Sequence, residues 1–267
     1  MAGAVDLSVD GTPATHEDLA TVALVNYGAY TSFRVEQGGV RGLDLHLARL
    51  EAEAVELFGE PVGEERLRDL VRQAVAGRDA CWLRVSLFSP EIGPRTPDWT
   101  GAPRVMIAAS SPPAPLAESL RLQVRTYARE APHLKHVATF GTMRARRVAR
   151  AAGFDDVLFV DGDGRVSEGS LWNIGFITGD EVVWPQAPML TGVAQALVRQ
   201  GLHTVGLTGR AEPVRIADLE RFDAAFICNS ATPACAVSVI GERVFATPPG
   251  LIDRVRAAWA SNPVQPI

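Results

Sequence analysis

Ser110-Ser-Pro-Pro-Ala-Pro115 divides the chain. Proline has no backbone N–H and a fixed φ, so three prolines in six residues continue neither a helix nor a central strand. The chain has 267 residues, enough for one large domain or two modest ones, and this segment favours two. The expected division is a small N-terminal α/β domain over 1–110, a linker over 111–115, and a larger C-terminal domain over 116–267.

Within the first part, 5–9, 22–26 and 30–35 read as strands, the last running into a turn at Gly38-Gly39. From Asp44 to about Phe58, the residues Leu43, Leu47, Leu50, Ala54 and Leu57 keep helical spacing, and Gly59 ends the run. Residues 64–76 repeat the pattern with Leu67, Leu70, Val71, Ala74 and Val75. Strands are expected at 81–88 and 104–109, around a Pro/Gly-rich loop at 90–103. In the second part, 120–127 reads as a strand and 144–152 as a helix closed by Gly153. Residues 157–160 and 165–167 form a hairpin about Asp161-Gly-Asp-Gly164, and 173–177 pairs with 182–184 about Gly179-Asp180. A helix at 191–200, strands at 224–228 and 235–239, and a helix at 250–260 complete a mixed α/β (α+β) chain whose second part is rich in hairpins.

The net charge of −5 argues against nucleic acid as a standing partner, since phosphate contacts need clustered cations. No apolar run is long enough to span a bilayer, so no membrane partner is expected. MAGAVDLSVDG lacks the cationic start and apolar stretch of a secretion signal. Cys81, Cys228 and Cys235 are an odd, scattered set rather than a disulfide framework, and the expected compartment is the cytoplasm.

Of the 26 lysines and arginines one is a lysine, Lys135, leaving 25 arginines. Arginine has been used wherever a generic cation serves. It cannot replace lysine where a neutral, nucleophilic amine is required, because guanidinium stays protonated. Schiff-base formation with an aldehyde is the leading case of that requirement. The alternative is a chance survivor on the surface.

An aldehyde cofactor on Lys135 needs a carboxylate facing its ring nitrogen, an anion site and a polar pocket. Glu168, in Val166-Ser-Glu-Gly-Ser170, sits where a strand breaks into a glycine turn; a solvated turn residue is the plainer reading. Thr191-Gly192-Val193-Ala194 opens a helix, with Thr191 as N-cap. The amides of Val193 and Ala194 and the helix dipole suit an anion there, and Gly192 allows close approach. Asn229-Ser230 follows an apolar strand, as a binding loop or a plain turn. Arg49 lies at the edge of the apolar stripe of helix 44–58, where it reaches a phosphate or simply faces solvent, as Arg144, Arg147 and Arg150 do.

Other chemistries fail. Arg165 stands where a calcium loop begun at Asp161 and Asp163 needs its third ligand. His133 and His136 flank Lys135 with no cluster to complete a metal set. There is no dinucleotide fingerprint, P-loop or nucleophile elbow. The cysteines read as small apolar fillers.

Together these segments resemble the class IV, fold-type IV aminotransferases. That family includes branched-chain and D-amino acid aminotransferases, (R)-amine transaminases and aminodeoxychorismate lyase. The resemblance covers roughly residues 24–245. It rests on His46-Leu-Ala-Arg49-Leu50, Leu134-Lys135, Glu168-Gly-Ser-Leu-Trp-Asn173, Leu190-Thr-Gly192-Val193 and Cys228-Asn229-Ser230. It implies a small N-terminal α/β domain and a larger C-terminal domain carrying the cofactor lysine, with pyridoxal 5′-phosphate between them, and a homodimer. It also implies a transaminase acting on an amino acid or amine with a keto acceptor. Aminodeoxychorismate lyase and a degenerate member without turnover are the alternatives. Lys135 would carry the cofactor and move the proton. Glu168 would face the ring nitrogen. Arg49, Gly192, Val193, Ala194, Asn229 and Ser230 would hold the phosphate. The chain departs from the family pattern at Thr191 (usually proline), Ala194-Gln195 (a common Thr-Arg) and Gly175 (an aromatic). Phe140 replaces the tyrosine that contacts the cofactor's phenolic oxygen in branched-chain enzymes, which speaks against that activity.

Overall fold

The computed structural model describes residues 5–114 and 116–267. Residues 1–4 and Pro115, the last linker residue, lie outside the described residues. In chain order come β1 (Asp6–Val9), β2 (Thr12–Pro13), α1 (His16–Leu24), β3 (Ala29–Glu36), β4 (Gly39–Arg41), α2 (Leu43–Phe58), α3 (Glu64–Val75), β5 (Ala80–Phe88) and β6 (Arg104–Ser110). Then follow β7 (Ser119–Thr126), α4 (Phe140–Ala151), β8 (Asp156–Val160), β9 (Val166–Gly169), β10 (Asn173–Thr178), β11 (Glu181–Pro185) and α5 (Val193–Gly201). The chain ends with β12 (Thr208–Glu212), β13 (Ala224–Asn229), β14 (Thr232–Ile240), β15 (Arg243–Val244), α6 (Leu251–Ala260) and β16 (Val264–Pro266). Two compact units result. The first comprises the described residues up to Ala114, with Leu134–Ala138 and Val264–Ile267; the second comprises the rest.

The first unit is a sheet in the order β16-β4-β3-β5-β6-β1-β2. β3 and β5 pair antiparallel along all eight residues of β3. Leu43, Leu47, Leu50, Ala54 and Phe58 of α2 and Leu67, Leu70 and Val71 of α3 are buried against Phe33, Val35, Leu83, Val85, Val105 and Ile107. Each such Leu or Phe contributes about 1.5–3 kcal/mol on burial, so the apolar stripes of α2 and α3 fix both helices on the sheet.

The expected strand at 22–26 is not formed; Val22–Leu24 is the end of α1. Val22 and Val25 suit a strand by local preference. Ahead of them, however, the Thr15 side chain accepts from Asp18 N at 3.2 Å while Asp18 Oδ2 accepts from Thr15 N at 2.9 Å. This capping box starts a helix. α1 buries Asp18 rather than an apolar stripe, and Leu24 is 84% exposed.

Lys135 also falls elsewhere than the sequence suggests. The segment Leu134–Ala138 belongs to the first unit. Its backbone continues the hydrogen bonding of β3: Tyr30 N donates to Lys135 O and Val137 N to Gly28 O, both at 2.9 Å, and Ala29 bridges His136.

In the second unit the sheet runs β12-β11-β10-β13-β14-β7-β8-β9, with β15 on β14. It curls, so that β9 also lies against β10. The central β13 is buried from Ala224 to Cys228 and reads as a continuous apolar run, as a strand covered on both faces must. Trp172, Ile174, Phe176, Val183 and Phe222 fill one core. Trp184, Phe226, Leu197, Val198 and Val255 are buried on the side of α5 and α6. Gly175 lacks a side chain because a Cβ would meet the Phe226 ring at 2.5 Å. Among the described residues no helix is long and apolar enough to cross a membrane.

Candidate active site

In the first unit the lysine segment meets α2 and β3. Lys135 N donates to Glu53 Oε1 at 2.6 Å, and Lys135 Nζ lies 4.8 Å from the centre of the Tyr30 ring. On Tyr30 too, the Arg84 guanidinium sits 3.7 Å from the ring centre. Glu53, Tyr30, Thr31 and His46 are all buried. The lysine is therefore held by its backbone while its amine lies over an aromatic face.

Arg49, one turn before Glu53, turns inward. Its Nη2 donates to Thr31 Oγ1 at 2.6 Å, and Thr31 Oγ1 lies 2.6 Å from His46 Nδ1. Thr31 Oγ1 accepts from Arg49, and which partner donates in its contact with His46 Nδ1 depends on the tautomer of the ring. Burial pushes the His46 imidazole well below its ordinary range, and the positive charges of Arg49 and Lys135 push the same way. Burial also lowers Arg49, against the raising effects of Glu53 and Tyr30. Arg49 Nε is buried with no hydrogen-bond partner. By contrast Arg144, Arg147 and Arg150 lie on α4 of the second unit and are exposed.

In the second unit Glu168 ends up buried rather than on a solvated turn. Glu168 Oε1 accepts from Arg129 Nε at 2.8 Å, and Oε2 accepts from Leu190 N at 3.3 Å. Five residues on, Asn173 Nδ2 donates to Leu190 O at 2.8 Å. Glu168 and Asn173 thus hold both backbone polar groups of the residue that precedes Thr191-Gly192. Between them the turn is tight. Gly169 N donates to Trp172 O at 2.9 Å, and a Cβ on Gly169 would meet the Trp172 ring at 2.3 Å. Trp172 Nε1 and Ser170 Oγ both donate to the buried Asp156, which Arg146 pairs at 3.2 Å.

One detail of the 190–194 turn differs from the sequence reading. Gly192, not Thr191, is the N-cap of α5, with extended φ/ψ and no side-chain cap, and Thr191 is exposed. The first backbone N–H groups of α5 have no partner within the helix. Around Gly192 the space is tight: a Cβ would lie 2.1 Å from Asn173 Oδ1. Asn229 closes the β13–β14 hairpin, its Oδ1 accepting from Ala231 N at 3.0 Å and Thr232 N at 2.8 Å. Its Nδ2 donates to Leu171 O at 3.3 Å, which ties the Ser230 loop to the Glu168–Asn173 turn.

The geometry brings the sequence candidates into two groups. Arg49 and Lys135 are in the first unit; Glu168, Gly192, Val193, Ala194, Asn229 and Ser230 are in the second. Sequence reasoning misses Thr31, Glu53, Arg129 and Asp156, whose partners lie on distant elements. Phe140, first in α4, is 78% exposed. The three cysteines are free and buried, and burial pushes the Cys228 thiol up, so none is set up as a nucleophile.

The family model "Amino-transferase class IV" matches residues 28–240, and the chain belongs to that family. The fold is that of the fold-type IV enzymes. A branched-chain aminotransferase from the archaeon Thermoproteus uzoniensis, with norvaline, superposes with a TM-score of 0.82 at 21% identity, covering 95% of this chain and 93% of that one. The Escherichia coli branched-chain enzyme gives 0.82 at 17% identity, with 97% and 94% covered. A hypothetical aminotransferase from Mycobacterium tuberculosis in a PLP-bound form gives 0.77 at 22% identity, with 96% and 99% covered. Comparison with curated proteins gives no match.

Proposed function

We propose that the chain is a pyridoxal-phosphate-dependent transaminase acting on an amino acid or amine, with Lys135 bonded to the cofactor's aldehyde carbon. The carrying observation is the placement of the sole lysine: its backbone is held by Glu53 and Tyr30, and its amine lies over the Tyr30 ring. The residues present fit the group. Arg49 keeps a buried guanidinium N–H with no partner, a donor suited to a phosphate oxygen. The first turn of α5 is uncapped and suits an anion. Glu168 is a buried carboxylate.

When bound, the cofactor supplies an electron sink for the charge left on substrate Cα. With the cofactor in place, Lys135 Nζ would be the general base and acid that moves the substrate Cα proton. Glu168 holds the proton on the ring nitrogen. Arg49, the amides at Gly192, Val193 and Ala194, and the Asn229-Ser230 loop anchor the phosphate. A homodimer is part of the proposal, supported by the exposed Leu19, Leu24 and Tyr27 on and beside α1.

The test is a half-reaction screen of the loaded protein against L- and D-amino acids and amines, followed at the cofactor's absorbance. Conversion to the amine form by at least one class supports a transaminase. Pyruvate release from aminodeoxychorismate, with no conversion by any donor, assigns the lyase instead.

A further inference from the structure

We infer that Arg129 is a positioning residue that keeps Glu168 charged and aimed at the cofactor's ring nitrogen; this rests on the cofactor reading above. Arg129 follows β7 in a stretch without regular structure, 39 residues before its partner. The Arg129–Glu168 pair is 2.8 Å long, with side chains 11% and 9% exposed. A second arm of the same guanidinium donates to Pro132 O. The planar fork reaches both acceptors at once, which an ammonium on a flexible stem does not do in one fixed geometry.

A carboxylate this deeply buried and left without a cation takes up a proton rather than stay charged. A neutral carboxylic acid cannot hold a pyridinium proton. Arg129 removes that escape, so Glu168 stays an acceptor. With one oxygen fixed by Arg129 and the other by Leu190, the carboxylate plane cannot rotate, and its lone pairs have a set direction.

A purely structural Arg129 would tie its own loop to β9 and do nothing for the ring nitrogen. The two roles separate in a binding experiment. Apoprotein is titrated, by quenching of tryptophan fluorescence, with pyridoxal phosphate and with its analogue carrying C–H in place of the ring nitrogen. Arg129→Gln should weaken pyridoxal phosphate about tenfold and leave the analogue within about twofold of wild type. Glu168→Gln should show the same selectivity, and the double variant should be no worse than either single one, since the two residues act through one contact. Arg129→Lys, which retains charge but not the fork, should fall between; if Arg129→Gln does not fold, the same comparison on Arg129→Lys decides. Equal loss for both cofactors, or no loss of pyridoxal phosphate, overturns the inference. Wild-type protein that binds neither cofactor overturns the functional reading itself.

Discussion

Gly192 and Asn173 are fitted to one another: a Cβ on Gly192 would lie 2.1 Å from Asn173 Oδ1, and Asn173 is anchored by its 2.8 Å bond to Leu190 O. Asn173 is buried and cannot swing aside. The glycine that opens α5 therefore depends on a residue of the motif that begins at Glu168.

Gly192→Ala should destabilise the fold and weaken cofactor retention, and Asn173→Ala should relieve part of that cost by vacating the space. In a double-mutant cycle followed by urea denaturation the coupling should be about 1 kcal/mol or more. Additive effects would mean that the two residues do not constrain each other.

Arg49→Ala should weaken cofactor binding by about 1.5–3 kcal/mol, the range for a charged hydrogen bond. Thr31→Val should weaken it less, since Arg49 keeps its charge and loses only the hydroxyl that accepts from Nη2. Titration of both variants with pyridoxal phosphate checks the order. Unchanged affinity in Arg49→Ala would remove Arg49 from the phosphate.

His46 sets a pH dependence of stability. Its folded imidazole is held well below the ordinary 6.5, so below about pH 6.5 the unfolded chain binds a proton that the folded chain does not. Stability should fall as pH drops through that range, by up to about 1.4 kcal/mol per pH unit from this group. Above it the group contributes no slope. In urea denaturation between pH 7.5 and 5.5, His46→Asn should have the shallower pH dependence. Parallel curves for variant and wild type would contradict the buried neutral imidazole.

The long elements are legible because their signals are local. The stripes of α2 and α3 and the apolar run of β13 each lie within one segment, so periodicity alone marks them. β4, β15 and β16 have two or three residues each and carry no period. The end of α1 is masked because Val22–Leu24 resembles a strand, although Thr15 and Asp18 spell out a capping box. Within the candidate site, Glu168, Arg49 and Lys135 stand out by residue type and local context. Their partners do not: Glu53 is 82 residues from Lys135, and Arg129 is 39 from Glu168. Such pairings are set by how strands and helices pack, and nothing in a single segment announces them. For the same reason the sequence places Lys135 with the larger unit, while its backbone pairs with β3.

The central claim is that Lys135 bonds the cofactor, and one measurement tests it most directly. Wild-type and Lys135→Arg protein are loaded with pyridoxal phosphate, reduced with borohydride, digested and mapped by mass. Arginine preserves the charge but offers no neutral amine near neutral pH, and no other lysine in the chain can substitute. Wild type should carry one reduced cofactor on the peptide containing Lys135, and the variant should be folded, unlabelled and inactive. A folded Lys135→Arg variant that turns over with pyridoxal phosphate, or wild-type label anywhere but Lys135, would contradict the account.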